Sequence, residues 1–142
     1  MTSRLTIENA FKQTSDMAGW LHQQLWEYSV PASTRTRLAA ACFAMVQDHH
    51  DSIAAQIEKR LHSSAFALVR VLFEAYARGN WLANCATEDE VAAFQMDREP
   101  PPIARLLSAL DEAGLGDGQL IGIKDRSWKV MNSYPHTGMM LI

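Results

Sequence analysis

The sequence predicts an all-α fold, a helical bundle of about five helices with a central apolar helix at residues 63–84. Apolar residues recur every three to four positions through most of the chain, which is typical of amphipathic helices. No run of alternating β-branched residues indicates a strand. The 142 residues, 48% hydrophobic and 20% charged, have the size and composition of one soluble globular domain. We therefore expect residues 1–142 to form a single all-α domain.

The first two helices are predicted on either side of Pro31. Apolar positions along residues 4–28 mark one face of the first helix, and Pro31 ends it because proline cannot continue the hydrogen-bond pattern. Ser33 or Thr34 is suited to cap the second helix, since a short hydroxyl side chain accepts from the free amides of a first turn. This helix is predicted from about Thr34 to about residue 60.

The third helix is the predicted centre of the bundle. Ser63 or Ser64 is placed to cap its start, and the helical pattern reaches Leu82 or Asn84. Apolar residues cover more than half of its circumference, so it must contact at least two neighbouring helices.

Two shorter helices are predicted next, separated by the proline-rich loop "REPPP". Thr87 followed by Glu90 matches the capping-box pattern at the start of the fourth helix. The prolines end that helix, because they lack a backbone donor and force extended geometry on the residues before them. The fifth helix is predicted from Pro102 or Ile103 to a C-terminal cap at Gly114.

A last helix is predicted from about residue 118 to 132, where "NSYPHTG" interrupts it with Pro135 and Gly138. The chain finishes with the uncharged "GMMLI", and an exposed apolar tail is unfavourable. These residues either pack into the core or a partner chain, or begin the next helix of a longer protein. We favour the second interpretation, a truncation at the C-terminus.

Three charged residues, Arg70, Glu74 and Arg78, recur every fourth position on the apolar third helix and form a polar seam with Ser63. One interpretation is a solvated stripe with weak ion pairs. A second is a partly buried network that fixes helix register or a dimer interface, since Ser63 and Ala67 are small enough to let another helix approach. A third is an anion site, because a guanidinium presents a planar fork of donors.

No metal or cofactor is expected. In "DHHD", His49 and His50 point roughly 100° apart on a helix and cannot both reach one ion. The sequence also lacks a nucleophile elbow, a phosphate-cradling glycine loop and a dinucleotide fingerprint. Cys42 and Cys85 lie in apolar surroundings without a metal-type spacing, which predicts buried thiols.

The formal net charge of −3 disfavours a broad electrostatic grip on nucleic acid, so no DNA partner is expected. No apolar window is long enough to span a bilayer, and the first residues do not resemble a secretory signal. We therefore expect a cytoplasmic protein without a membrane partner.

The densest cluster of groups able to do chemistry lies in "DRSWKVMNSYPHTG". It contains Arg126, Lys129, Asn132, Ser133, Tyr134 and His136. The alternative interpretation is a helix terminus, where Lys129 complements the helix dipole and Asn132 or Ser133 caps the last turn.

The long second helix, then "SSAFALVRVLFEAYARGNWL" and a late "NSYPHTG", resembles uncharacterised bacterial helical proteins of the HEPN superfamily over residues 35–140. The resemblance implies a helical bundle, commonly a homodimer. The superfamily includes metal-independent endoribonucleases of toxin and phage-defence systems, together with inactive members. Active members carry an arginine, four to six residues and then a histidine. His136 matches the histidine, whereas Lys129 and Arg126 stand seven and ten positions before it.

The sequence thus leaves three functions open. The leading prediction is a non-catalytic interaction or regulatory domain, a homodimer in a defence or toxin-antitoxin system, with RNA or a partner protein as its other partner. The alternative is a HEPN-type ribonuclease in which His136 is general acid or base and Lys129 or Arg126 binds the phosphate. The third is small-anion binding at the seam of Arg70, Glu74 and Arg78.

Overall fold

The computed structural model describes residues 2–26 and 33–137 and contains six helices within them. They are α1 (Thr2–Trp26), α2 (Thr34–Glu58), α3 (His62–Asn84), α4 (Glu88–Gln95), α5 (Ile103–Glu112) and α6 (Leu120–Thr137). The described residues contain no strand, so the predicted all-α class is confirmed. The predicted end of the first helix at Pro31 and the apolar residues 138–142 lie outside the described residues.

α3 is the central helix of the bundle, as the breadth of its apolar surface predicts. It packs along α2, to which a short turn at residues 59–61 joins it, and it also contacts α5 and α6. α2 in turn contacts α1 and α4. No helix within the described residues is both long and apolar enough to cross a membrane.

The core consists of two adjoining clusters on the C-terminal half of α3, and Cys85 and Ile103 pack against both. Trp81 and Leu82 pack with residues of α2, α4 and α5, and Ala77 packs with Leu107 of α5 and Leu120 of α6. Leu82 and Leu107 are fully enclosed. Because these clusters anchor four other helices to α3, they set the positions of α4, α5 and α6.

Several predicted helix ends are confirmed by their hydrogen bonds. The Ser33 Oγ accepts from the Thr36 amide at 3.2 Å, and the capping box of Thr87 and Glu90 is complete. Gly114 follows α5 with a φ of +76°, and the Leu115 amide donates to the carbonyl of Leu110. These two features form the closure typical of a helix that ends on glycine.

The predicted cap of α3 by Ser63 or Ser64 is wrong. The helix begins at His62 after Leu61, and no side chain caps it. The reason lies in the end of α2, where Arg60 adopts a φ of +60° and the Leu61 amide donates to the carbonyl of Gln56. This closure turns the chain so tightly that α3 starts before the serines.

The predicted end of the last helix near residue 132 is also wrong, since α6 continues through Pro135 to Thr137. A proline removes one backbone donor and crowds the carbonyl four residues earlier, which costs a helix about 3 kcal/mol in its interior. The fixed φ of proline, about −65°, is nevertheless a helical angle, so α6 can continue past Pro135 with the loss of that one hydrogen bond. Arg126, Lys129 and His136 consequently share one helix.

Arg35 of α2 contacts both α3 and α4, and local sequence patterns did not predict these contacts. Its Nη1 donates to the carbonyl of Leu82 at 2.6 Å, and its Nη2 pairs with Glu88 at 2.6 Å. The amide of Ala86 bonds to Trp81 instead, so the Leu82 carbonyl receives no helical hydrogen bond. Arg35 thus satisfies a carbonyl that the end of α3 leaves free.

Replacement of Arg35 by methionine is expected to lower the free energy of unfolding by about 2 kcal/mol, because a charged hydrogen bond to a partly buried carbonyl is lost. Glu88→Gln is the matched control. The Glu88 side chain is 84% exposed, so its loss should cost about 0.5 kcal/mol or less. Urea denaturation of both variants measures the difference, and equal losses would contradict the role assigned to the Leu82 carbonyl.

Candidate functional site

The polar seam of α3 forms an ionic row centred on Glu74. The Nε of Arg70 donates to Glu74 Oε1 at 3.2 Å, and the Nη2 of Arg78 lies 3.7 Å from Glu74 Oε2. Residues four apart lie one above the other on a helix, so the spacing alone places the three side chains together. Two guanidinium groups share one carboxylate, which leaves the row with a net positive charge.

The seam is neither fully solvated nor buried. The side chains of Arg70, Glu74 and Arg78 are 50%, 25% and 40% exposed. Ser63 and Ala67, which precede them on the same side of the helix, are exposed. The N-terminal half of the seam therefore faces outward, whereas Trp81, one turn beyond Arg78, is buried in the core.

α6 covers one flank of the seam. The guanidinium carbon of Arg70 lies 5.2 Å from the centre of the Trp128 ring, within the range of a cation–π interaction. The ring of Phe73 meets Trp128 edge-on with their centroids 5.5 Å apart. The segment that contains the C-terminal cluster thus packs directly beside the seam, a proximity that helical spacing alone does not predict.

The cationic members of the C-terminal cluster face solvent. Arg126 and Lys129 are exposed on α6, and neither forms an ion pair with any residue in the described ranges. They stand three residues apart and so share a face of the helix. The side chains of residues 130–137, including His136, lie outside the described part of the structure.

The histidines of "DHHD" are half-buried on α2. One ring nitrogen of each, Nε2 of His49 and Nδ1 of His50, is enclosed without a hydrogen-bond partner. Among the described residues no three His, Cys, Asp or Glu side chains are grouped so that they could hold a metal ion.

Both cysteines are free thiols. Cys42 is buried, as predicted, whereas Cys85 is only half-buried. Burial raises the pKa of the Cys42 thiol, and the positive charge of Arg78 offsets this only in part. Burial also raises the pKa of Cys85. Since the thiolate is the reactive form, these shifts make both cysteines poor nucleophiles at neutral pH.

A cavity that the sequence did not predict lies between α4, the "REPPP" loop and α5. Its lining includes Trp81, Phe94, Arg98 and Arg105. The prolines in the sequence predicted a loop but not a cavity. The cavity could not be predicted because its lining residues come from three helices as well as that loop. The one local signal is the pair of arginines that flanks the prolines in sequence.

Replacement of Arg70 by methionine is expected to lower the free energy of unfolding by about 1 kcal/mol, which combines a half-exposed ion pair with a cation–π contact. Arg37 is exposed on α2 and has no ion pair within the described residues, so Arg37→Met is the control and should leave stability unchanged. Thermal and urea denaturation provide the measurement. A loss of about 3 kcal/mol or more would indicate a buried network instead.

Comparison with known proteins gives one family and no characterised relative. The model of a family described as "Family of unknown function (DUF6988)" matches residues 43–142. No curated protein and no solved structure matches the chain. The matched region includes most of α2 and all of α3 to α6, and therefore the seam, the C-terminal cluster and the cavity. Because this match covers well over half of the sequence, the chain belongs to DUF6988, a family of unknown function.

Proposed function

We propose that this protein is a non-catalytic helical interaction domain that acts as a homodimer through the exposed side of α3. The observation that carries the proposal is the exposure of the central helix at Ser63, Ala67, Arg70 and Val71. A central helix of a bundle ordinarily has its whole surface covered, and Val71 is 42% exposed here. An apolar residue in the open part of a charged seam is a favourable contact point for a partner helix.

A second copy of the chain fits this surface by charge. The row of Arg70, Glu74 and Arg78 alternates in sign, so an antiparallel copy of α3 can place a guanidinium of one chain near Glu74 of the other. Ser63 and Ala67 are small and four residues apart, which lets two helix backbones approach closely. The resemblance to HEPN proteins supports the same arrangement, as well as a cytoplasmic role in a defence or toxin-antitoxin system with RNA or a partner protein.

Light scattering after size-exclusion chromatography tests the dimer. The wild-type chain is expected to elute with twice the monomer mass, and Ala67→Glu is expected to elute as a monomer because it places a carboxylate in the close contact. Ala104 is likewise an exposed alanine, on α5, so Ala104→Glu is the matched control and should remain dimeric. A monomeric wild-type protein, or a dimeric Ala67→Glu variant, would overturn the proposal.

The second candidate is a metal-independent ribonuclease, and the continuity of α6 favours it. The helix runs from Leu120 to Thr137, so Arg126 and Lys129 share one rigid element with His136. By resemblance to HEPN enzymes, His136 acts as general acid or base on the RNA, and Lys129 or Arg126 binds the phosphate. A lysine offers that phosphate a point charge, whereas an arginine offers a planar fork of donors.

Incubation with mixed RNA in the presence of a chelator tests the ribonuclease. If this second candidate is the function, the wild type cleaves the RNA and His136→Ala does not, whereas a non-catalytic domain leaves the RNA intact. His62 is an exposed histidine of α3, and His62→Ala should cleave like the wild type. If the wild type leaves RNA intact, or if His136→Ala cleaves as well, His136 is not catalytic.

Small-anion binding at the seam has the weakest support of the three functions. Glu74 already lies within ion-pair distance of both Arg70 and Arg78. A phosphate or carboxylate ligand would have to compete with that carboxylate for the guanidinium donors. Glu74→Gln should then strengthen the binding of inorganic phosphate, which a thermal-shift titration measures.

A further inference from the structure

The cavity beside α4 is a small pocket with a rigid wall and an aromatic base. Its volume is about 260 Å³, slightly below the range of roughly 300–1,000 Å³ for sites that hold drug-sized ligands. Trp81, only 5% exposed, and Phe94 contribute aromatic surface. Pro100 and Pro101 form part of the wall, and their fixed backbone angles hold its shape. The pocket therefore suits a ligand smaller than a typical drug that carries an apolar group.

The lining carries charges of both signs that do not neutralise one another. Arg98 and Arg105 form no ion pair or side-chain hydrogen bond with any described residue, and Glu99 forms none either. Glu90 uses one carboxylate oxygen to accept from the Thr87 amide in the capping box, so its second oxygen remains available. The described part of the pocket thus presents two cationic and two anionic groups together with its apolar surface.

We propose that this pocket binds a free amino acid with a large apolar side chain, or a zwitterion of the same size and charge pattern. The ligand carboxylate accepts from the guanidinium groups of Arg98 and Arg105, and its ammonium group donates to Glu99. The apolar side chain packs against Trp81 and Phe94. A simple anion would satisfy the arginines but would be repelled by the carboxylates, and a simple cation would meet the reverse conflict. Only a ligand with both charges complements the whole lining.

The experiment compares three ligands that share a phenyl ring, using the full-length protein. L-Phenylalanine has both charged groups, 3-phenylpropionate lacks the ammonium group and phenethylamine lacks the carboxylate. Each is titrated while the indole N–H signal of Trp81 is followed by NMR, with Trp81→Phe to assign that signal. L-Phenylalanine is expected to bind about tenfold more tightly than either analogue, the loss expected when a charged group loses its partner.

Two charge-neutral variants identify the groups involved. Arg105→Gln should weaken the binding of L-phenylalanine severalfold, part of the way to the affinity of phenethylamine, because Arg98 still holds the carboxylate. Glu99→Gln should weaken it to the affinity of 3-phenylpropionate. Both residues are exposed, so neither variant should alter the melting temperature, and Arg37→Gln on another face should bind like the wild type. If no ligand shifts the Trp81 signal, if an analogue binds as tightly as L-phenylalanine, or if the variants bind like the wild type, the proposal is overturned.

Discussion

Replacement of Leu107 by alanine is expected to lower the free energy of unfolding by about 3 kcal/mol, the usual cost of a large-to-small change in a packed core. Leu107 has 0% exposure and packs with Ala77, Leu110 and Leu120. The alanine therefore removes contacts to α3 and α6 at once and leaves a cavity between three helices.

Leu115→Ala is the matched control for this prediction. Leu115 is 44% exposed, so the same chemical change should cost about 1 kcal/mol or less. Urea denaturation of the two variants gives the comparison. Similar losses would mean that the cluster of Leu107 does not connect α3, α5 and α6 as the structure has it.

The second prediction concerns Gly79 of α3, which lies close to Cys42 and Phe43 of α2. A β-carbon added at Gly79 would lie 2.9 Å from Cε1 of Phe43 and 3.1 Å from Cβ of Cys42. Glycine to alanine in an open helix stabilises by roughly 1 kcal/mol. Overpacking costs about 1–3 kcal/mol, and the contact with a rigid ring at 2.9 Å favours the upper part of that range. We therefore expect Gly79→Ala to be destabilising overall by about 1–2 kcal/mol.

Gly19→Ala in α1 is the control, and it is expected to change the stability in the opposite direction. A β-carbon at Gly19 would meet nothing within 4 Å, so the substitution should stabilise the fold by about 0.5–1 kcal/mol. Thermal denaturation of the pair measures both effects. A Phe43→Leu change in the Gly79→Ala background should relieve part of the loss, because the contacting ring is removed. If Gly79→Ala stabilises the fold as Gly19→Ala does, Gly79 of α3 does not lie as close to Phe43 of α2 as the structure has it.

Much of the secondary structure could be predicted because it depends on neighbours within one or two turns. The three-to-four spacing predicted the helices, and the residues at Ser33, Thr87 and Gly114 marked three of their ends correctly. The errors occurred where one local signal competed with another. Ser63 is a good capping residue, but the backbone at Arg60 starts α3 earlier. Pro135 lacks a backbone donor, but its fixed φ is a helical angle and α6 continues two residues beyond it.

In the candidate sites, too, contacts between residues close in the chain could be predicted and contacts between distant residues could not. The ion pairs of Arg70 and Arg78 with Glu74 follow from a spacing of four, so the sequence predicted the seam itself. The contact of Arg70 with Trp128, more than fifty residues away, could not be predicted. The cavity at Trp81 and Arg98 was missed for the same reason, since its lining comes from three helices and one loop.

By itself, the sequence determined that this protein is all-α, that residues 63–84 form the central helix and that a charged row runs along it. Those properties arise from the helical period and from hydrogen bonds between residues close in the chain. The tertiary structure alone decided how far the seam is exposed and that Arg35 joins α2 to the end of α3 and the start of α4. It also decided that the Phe43 ring packs against Gly79, where a β-carbon would be too close. Each depends on side chains that only the packing of whole helices brings together, and no local spacing specifies that packing.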